Sequence, residues 1–67
     1  MENEFKTDDY VTIHSTNSPL DGRMGTILGL STNLIVQTYI VGLDKTFEHE
    51  GFLYRAVTIP GSCLCRA

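Results

Sequence analysis

The chain has 67 residues, a hydrophobic fraction of 42% and a formal net charge of −3. Such a length makes a single domain, and the composition is typical of a globular protein. The acidic balance argues against binding a phosphate backbone through bulk electrostatics, and no apolar run approaches the ~20 residues of a membrane span.

The cysteines Cys63 and Cys65 stand one residue apart. On a strand this spacing places two side chains about 6–7 Å apart, which is poor geometry for a disulfide. The polar, acidic N-terminus lacks the basic and apolar regions of a signal peptide. We therefore expect a soluble protein of the reducing cytoplasm that does not bind membranes.

The first part of the chain predicts a lead-in and a strand. Residues 1–8 are polar and acidic, so we expect a flexible lead-in, followed by one folded domain over residues 9–67. Residues 10–14 are rich in β-formers and alternate in polarity, which predicts a strand with Val11 and Ile13 on one face.

A loop and a second strand follow. Residues 15–22 collect Ser, Thr, Asn, Pro, Asp and Gly, and this composition predicts a loop that ends in an Asp21-Gly22 turn. Residues 23–30 predict a strand in which two glycines, Gly25 and Gly29, allow a sharp bend. The Asp21-Gly22 turn either shapes a binding loop or only sets the register of the strands.

The third strand is predicted at residues 35–43, after a short turn at residues 31–33. It places Tyr39, Val41 and Leu43 on the core face and Val36, Thr38 and Ile40 on the opposite one. If the opposite face is exposed, its apolar residues favour a homodimer.

The remaining residues complete an all-β pattern. Residues 44–51 are charged and predict a loop, residues 52–59 a fourth strand, residues 60–62 a tight 3₁₀ turn, and residues 63–66 a closing strand. Five short strands joined by turns indicate a sandwich or barrel, and a barrel is favoured because closure removes exposed edges.

Three segments together resemble the KOW motif of small SH3-like barrels. Gly22, Gly25 and Ile27 after a Pro-Leu-Asp turn resemble the heart of the motif, and residues 39–44 resemble the third barrel strand. Residues 56–64 resemble the usual finish of a strand, a 3₁₀ turn opened by proline and a short last strand.

This resemblance, which covers residues 9–66, implies a five-stranded SH3-like barrel with a short 3₁₀ turn before the last strand. It also implies a binding module and not an enzyme. KOW-type domains commonly bind RNA, ribosomes or transcription machinery, and other SH3-like barrels bind protein segments. Short stand-alone barrels of this kind are frequent among phage and mobile-element proteins.

No residue pattern indicates catalysis, a cofactor or a metal. A structural zinc site needs four ligands, usually in two close pairs, whereas here only the two cysteines are close and His14 and His49 stand alone. We find no nucleophile elbow, phosphate-binding loop or dinucleotide fingerprint. His49, between two glutamates, is expected to be solvated.

The first functional hypothesis is a protein-binding module, in one version a phage-type modulator of a host complex. Its acidic segment would steer it toward a basic partner surface. Phe47 either anchors the partner or folds back over the open end of the barrel. The partner-binding residues that we predict are Asp21, Arg23, Lys45, Phe47, Phe52, Tyr54 and Arg55.

The second hypothesis is a KOW-type RNA- or DNA-binding domain linked to transcription or translation. It would use Arg23, Lys45 and Arg55 if the fold brings these cations together. A third and weaker hypothesis is a structural subunit that acts by self-association.

Overall fold

The computed structural model describes residues 5–31 and 36–67, which form one antiparallel sheet of five strands in the order β4-β3-β2-β1-β5. The prediction of an all-β fold with a 3₁₀ turn before the last strand is confirmed. The elements are β1 (Tyr10–Ile13), β2 (Met24–Ser31), β3 (Thr38–His49), β4 (Phe52–Pro60), a 3₁₀ helix (Gly61–Cys63) and β5 (Leu64–Arg66).

All five strands contribute side chains to one core. Its buried members are Phe5, Val11, Ile13, Ile27, Tyr39, Val41, Ile59 and Leu64. Because Ile59 of β4 and Leu64 of β5 meet in this core from opposite edges of the sheet, the sheet must be strongly curved. Within the described residues, β4 and β5 do not pair with each other, so the hydrogen bonding of the sheet is not closed.

The predicted inward faces of the first and third strands are confirmed. Val11, Ile13 and Val41 are fully buried, and Tyr39 is 2% exposed. Of the residues predicted for the opposite face, Ile40 is half-buried and Thr38 is buried. Val36 is exposed and precedes β3, whose predicted start at Ile35 lies outside the described residues.

β2 lies unusually close to its neighbour β3 at Gly25. A Cβ atom at this position would collide with the carbonyl oxygen of Gly42 and lie 2.8 Å from Cγ1 of Val41. Further along β2, the pairing with β3 shifts between Ile27 and Gly29, which leaves Leu28 as an extra residue. The bulge is the local feature that bends β2, whereas Gly25 provides the space that the neighbouring strand needs.

The loop between β1 and β2 closes at the predicted Asp21-Gly22 turn. Gly22 has a φ of 84°, and its N–H donates to the carbonyl of Ile13 over 2.8 Å. An Asp21 carboxylate oxygen accepts a bond of 2.9 Å from the backbone N–H of Ser15. Both bonds hold the loop against the end of β1, which favours the register-setting role of the turn.

Part of the predicted lead-in belongs to the core. Phe5 is 5% exposed, its ring packs edge-on against Tyr39 at 5.4 Å, and its N–H donates to the Tyr39 hydroxyl. The backbone N–H of Asp8 donates to the carbonyl of Ile27. The folded part of the chain therefore includes residues 5–8, because the Phe5 ring is buried in the core. Residues 1–4 of the predicted lead-in lie outside the described residues.

The prediction of a loop at residues 44–51 is wrong. β3 continues through this segment to His49, and only Glu50 and Gly51 form the turn before β4. Both turn residues have positive φ, 53° and 83°, as in the tight hairpin turns that match strand twist. The charges do not prevent strand formation, because most side chains of this hairpin face solvent.

Candidate functional site

The end of the β3–β4 hairpin, residues 47–54, is set apart from the rest of the sheet by an irregularity; we call it the distal hairpin. Gly42 pairs with Ala56, and the next pair is Phe47 with Tyr54. Residues 43–46 of β3 therefore lie opposite Arg55 alone. The extra residues in β3 increase the local bend of the strand and change the direction of the distal hairpin relative to the core.

Phe47 is the centre of an aromatic cluster in the distal hairpin. It is 7% exposed, its ring stacks on His49 with centroids 5.7 Å apart, and the Tyr54 ring lies at 6.1 Å. The guanidinium carbon of Arg23 lies 5.0 Å from the centroid of the Phe47 ring, which is cation–π geometry. The loop before β2 is thereby attached to the distal hairpin.

Three consecutive large side chains of the distal hairpin are exposed. Phe52 is 66% exposed, Leu53 63% and Tyr54 39%. Strand alternation places Phe52 and Tyr54 on one face and Leu53 on the other. Phe52 and Tyr54, exposed on the same face as the buried Phe47, form a surface suited to contact with another molecule.

Arg23 and Lys45 line one surface cleft, together with Gly22, Met24 and Asp44. Asp44 accepts a hydrogen bond from the hydroxyl of Tyr10. This bond to a carboxylate, with a smaller effect of desolvation, raises the pKa of Tyr10 above its usual value of 10.0. The Asp44 carboxylate is thus directed toward Tyr10, while both cations lie at the cleft.

The structure brings together most of the predicted site residues, but in different roles. Arg23, Phe47 and Tyr54 form one cluster, Lys45 shares the Arg23 cleft, and Phe52 follows the hairpin turn. Phe47 is buried, as expected if its ring folds back on the protein. Asp21 holds its own loop, and Arg55 is exposed beside Tyr54.

Sequence reasoning missed the contribution of His49 and Leu53. The His49 side chain is half-exposed and lies 3.6 Å from a carboxylate oxygen of Glu50, but its ring also stacks on Phe47. The two-residue spacing of Phe47 and His49 was an available signal, since residues two apart share a face of a strand. The charged residues around His49 predicted a loop, so the spacing was not interpreted as part of a strand.

The cysteines and histidines do not form a cluster. Cys63 is half-buried against the core and Cys65 is exposed, and both are free thiols. Among residues 5–31 and 36–67, no three His, Cys, Asp or Glu side chains converge on a point where a metal ion could bind. The described part of the chain also contains no helix that is long and apolar enough to cross a bilayer.

Comparison of the chain with protein-family models, with curated proteins and with solved structures finds no match.

Proposed function

We propose that the protein is a small non-enzymatic binding module that engages a protein partner through the distal hairpin. The observation that carries this proposal is the exposed pair Phe52 and Tyr54 on the same face as the buried Phe47. Aromatic residues contribute much of the binding energy of protein interfaces. The Tyr54 ring already contacts Phe47 and therefore loses less conformational freedom on binding.

The family resemblance adds a finer proposal for the fold. An SH3-like barrel is supported by the sequential order β1 to β4, by the 3₁₀ helix before a short β5, and by the meeting of both edge strands in one core. A stand-alone barrel of the phage type, acting as a modulator of a host complex, is the form of the protein-binding proposal that this resemblance favours.

Site-directed photo-crosslinking tests the protein-binding proposal. A benzoylphenylalanine replaces Phe52 in one variant and Leu30 in the control, since Leu30 is 60% exposed but lies in β2, away from the distal hairpin. Irradiation in the cells that naturally contain the protein should give a discrete protein adduct from position 52 and none from position 30. The adduct should weaken when Tyr54→Ser is added.

The proposal fails if positions 52 and 30 give the same adducts, or if position 52 gives none. Circular dichroism of each purified variant establishes that the fold is retained. Both replaced side chains are more than half exposed, so neither substitution should disturb the core.

A second candidate function, RNA or DNA binding, is favoured by the cleft that Arg23 and Lys45 share. Phe52 and Tyr54 could stack on bases beside these cations, as in single-strand binding proteins. A titration with generic single- and double-stranded oligonucleotides at low salt tests this function. Binding should weaken steeply as salt rises, and the absence of binding at low salt would exclude it.

A further inference from the structure

The outer side of β4 is a strand edge that no described residue pairs with. β4 is the last strand of the sheet order, and within the described residues its backbone pairs only with β3. Residues 52–56 are all exposed. The free backbone groups of an edge this long can pair with a strand of another chain unless the protein covers or interrupts the edge. Here the strand itself carries only one charged residue, Arg55, and a proline at its end, Pro60.

A surface groove runs along the same strand. It is lined by Leu20, Ile40, Tyr54, Ala56, Val57 and Thr58. The lining is largely apolar and four of its members belong to β4. A strand added at this edge would place alternate side chains on opposite faces, so that one set could enter the groove.

Positive charge flanks the groove although the whole chain is acidic, with a net charge of −3. Arg55 is exposed and lies in sequence between two groove residues, Tyr54 and Ala56, so that strand alternation places its side chain on the other face of β4. Arg23 lies over the Phe47 ring, which in turn contacts the Tyr54 ring.

Neither arginine forms an ion pair with a carboxylate of the described residues. Asp44 accepts the Tyr10 hydroxyl, and Asp21 accepts the backbone N–H of Ser15. Glu48 pairs with Leu53, which lies on the same face of β4 as Arg55. Arg55 is therefore the charged side chain that β4 itself presents to a strand added at its edge.

We infer that the β4 edge binds an extended peptide segment of the partner, one that carries an acidic side chain opposite Arg55 and an apolar side chain in the groove. Main-chain hydrogen bonds to β4 would supply affinity, and the groove and the arginines would supply specificity. A side chain directly opposite Arg55 would lie about 5 Å away between Cβ atoms. This inference rests on the proposed function and names the chemistry of the partner.

Hydrogen exchange of the ¹⁵N-labelled protein tests the inference directly. The probe is the blocked peptide Thr-Val-Glu-Val-Glu-Val-Thr, and its control has lysine in place of both glutamates. The acidic peptide should slow exchange at alternate backbone amides of residues 53–58 by about tenfold or more, as expected when free edge N–H groups become paired. The lysine peptide should bind roughly fivefold more weakly, because an exposed ion pair contributes only a small free energy of binding.

Two controls separate strand pairing from simple charge attraction. Methylating the peptide nitrogens that would pair with β4 should abolish protection while leaving the charge unchanged. Arg55→Glu should weaken binding of the acidic peptide, whereas Lys6→Glu should not, because Lys6 is an exposed cation outside the sheet. The two variants change net charge equally.

The inference is overturned if the peptide leaves β4 amides unprotected or if the lysine peptide binds as well. It is also overturned if protection rises with protein concentration without peptide, since the occupant would then be a second copy of the chain. If these results are negative but the crosslink from position 52 persists, the partner binds the hairpin in another way and the proposed function stands.

Discussion

At the scale of single residues, two glycines of β2 have unequal roles. Gly25 has no room for a side chain, whereas a Cβ atom at Gly29 would meet no atom within 4 Å. Gly25→Ala should lower the free energy of unfolding by about 1–3 kcal/mol, because the two strands must move apart. Gly29→Ala should leave it unchanged or slightly raised, since alanine suits a strand better than glycine.

Urea denaturation followed by fluorescence or circular dichroism measures both changes. The two variants carry the same substitution in the same strand, so their difference isolates the contact with Gly42 and Val41. Equal stability of the two would contradict the close approach of β2 and β3.

Gly22 is required for its backbone conformation and not for space. Its φ is 84°, and a Cβ atom added there would meet no atom within 4 Å. Gly22→Val should therefore destabilise the protein by at least about 1–2 kcal/mol, the cost of left-handed backbone for an ordinary residue. Gly22→Asn should cost less, since asparagine adopts this conformation more readily. Thermal unfolding of the two variants ranks them, and the reverse order would exclude a left-handed turn at this position.

Asp9 joins the two ends of the described chain. Its carboxylate accepts bonds of 2.8 Å from the backbone N–H of Lys6 and from Arg66. These bonds, the first more than the second, hold the pKa of Asp9 below its ordinary value of 3.8. Their stabilisation is present above pH 3.8 and is lost as the pH falls through the lower value of the folded state.

The Asp9→Asn variant should therefore be less stable than the wild type at pH 6.5 and should approach it as the pH falls below 3.8. Urea denaturation at pH 6.5 and at lower pH measures this difference. A difference that stays constant over this range would show that the charge of Asp9 contributes nothing. Since Arg66, the ion-pair partner of Asp9, is exposed, high salt should also reduce the difference.

At the scale of elements, the distal hairpin combines one buried aromatic side chain with one exposed one. Phe47→Ala should lower the free energy of unfolding by about 3 kcal/mol, because it removes the ring that His49, Tyr54 and Arg23 contact. Phe52→Ala should change it by less than about 0.5 kcal/mol, because this ring is 66% exposed.

Chemical denaturation of the two variants checks this pair. Similar losses of unfolding free energy in the two variants would mean that the Phe52 ring is also packed, or that the Phe47 ring is not. The same comparison guides the functional tests, because Phe52 can be changed without loss of the fold and Phe47 cannot. Phe52 is therefore the better position at which to disturb binding.

At the scale of the whole molecule, stability should be distributed unevenly along the sheet. Val11, Ile27 and Val41 are completely buried in the three central strands, whereas the distal hairpin exposes most of its side chains. Amides of the central strands should exchange only through global unfolding, and those of Phe52 and Leu53 through local opening. Hydrogen exchange followed by NMR measures this order, which uniform protection would contradict.

The charged segment at residues 44–51 shows where sequence reasoning fails. A run of acids and a lysine is typical of a loop, but polar side chains are also compatible with a hairpin that extends into solvent. Phe5 shows the same limit at the other end, since its neighbours in sequence are polar and its neighbours in space are Tyr39 and Arg66. In both cases the deciding contacts join residues far apart in the chain.

The sequence by itself determined the all-β class, the inward faces of β1 and β3, the turn at Gly22 and the 3₁₀ turn after Pro60. These features depend on alternation and on the local conformational preferences of glycine and proline, which act over a few residues. Only the tertiary structure decided that Phe47 is buried, that Arg23 lies on its ring and that, among the described residues, β4 pairs with β3 alone. Those features depend on how the curved sheet brings distant residues together, and no local pattern encodes that arrangement.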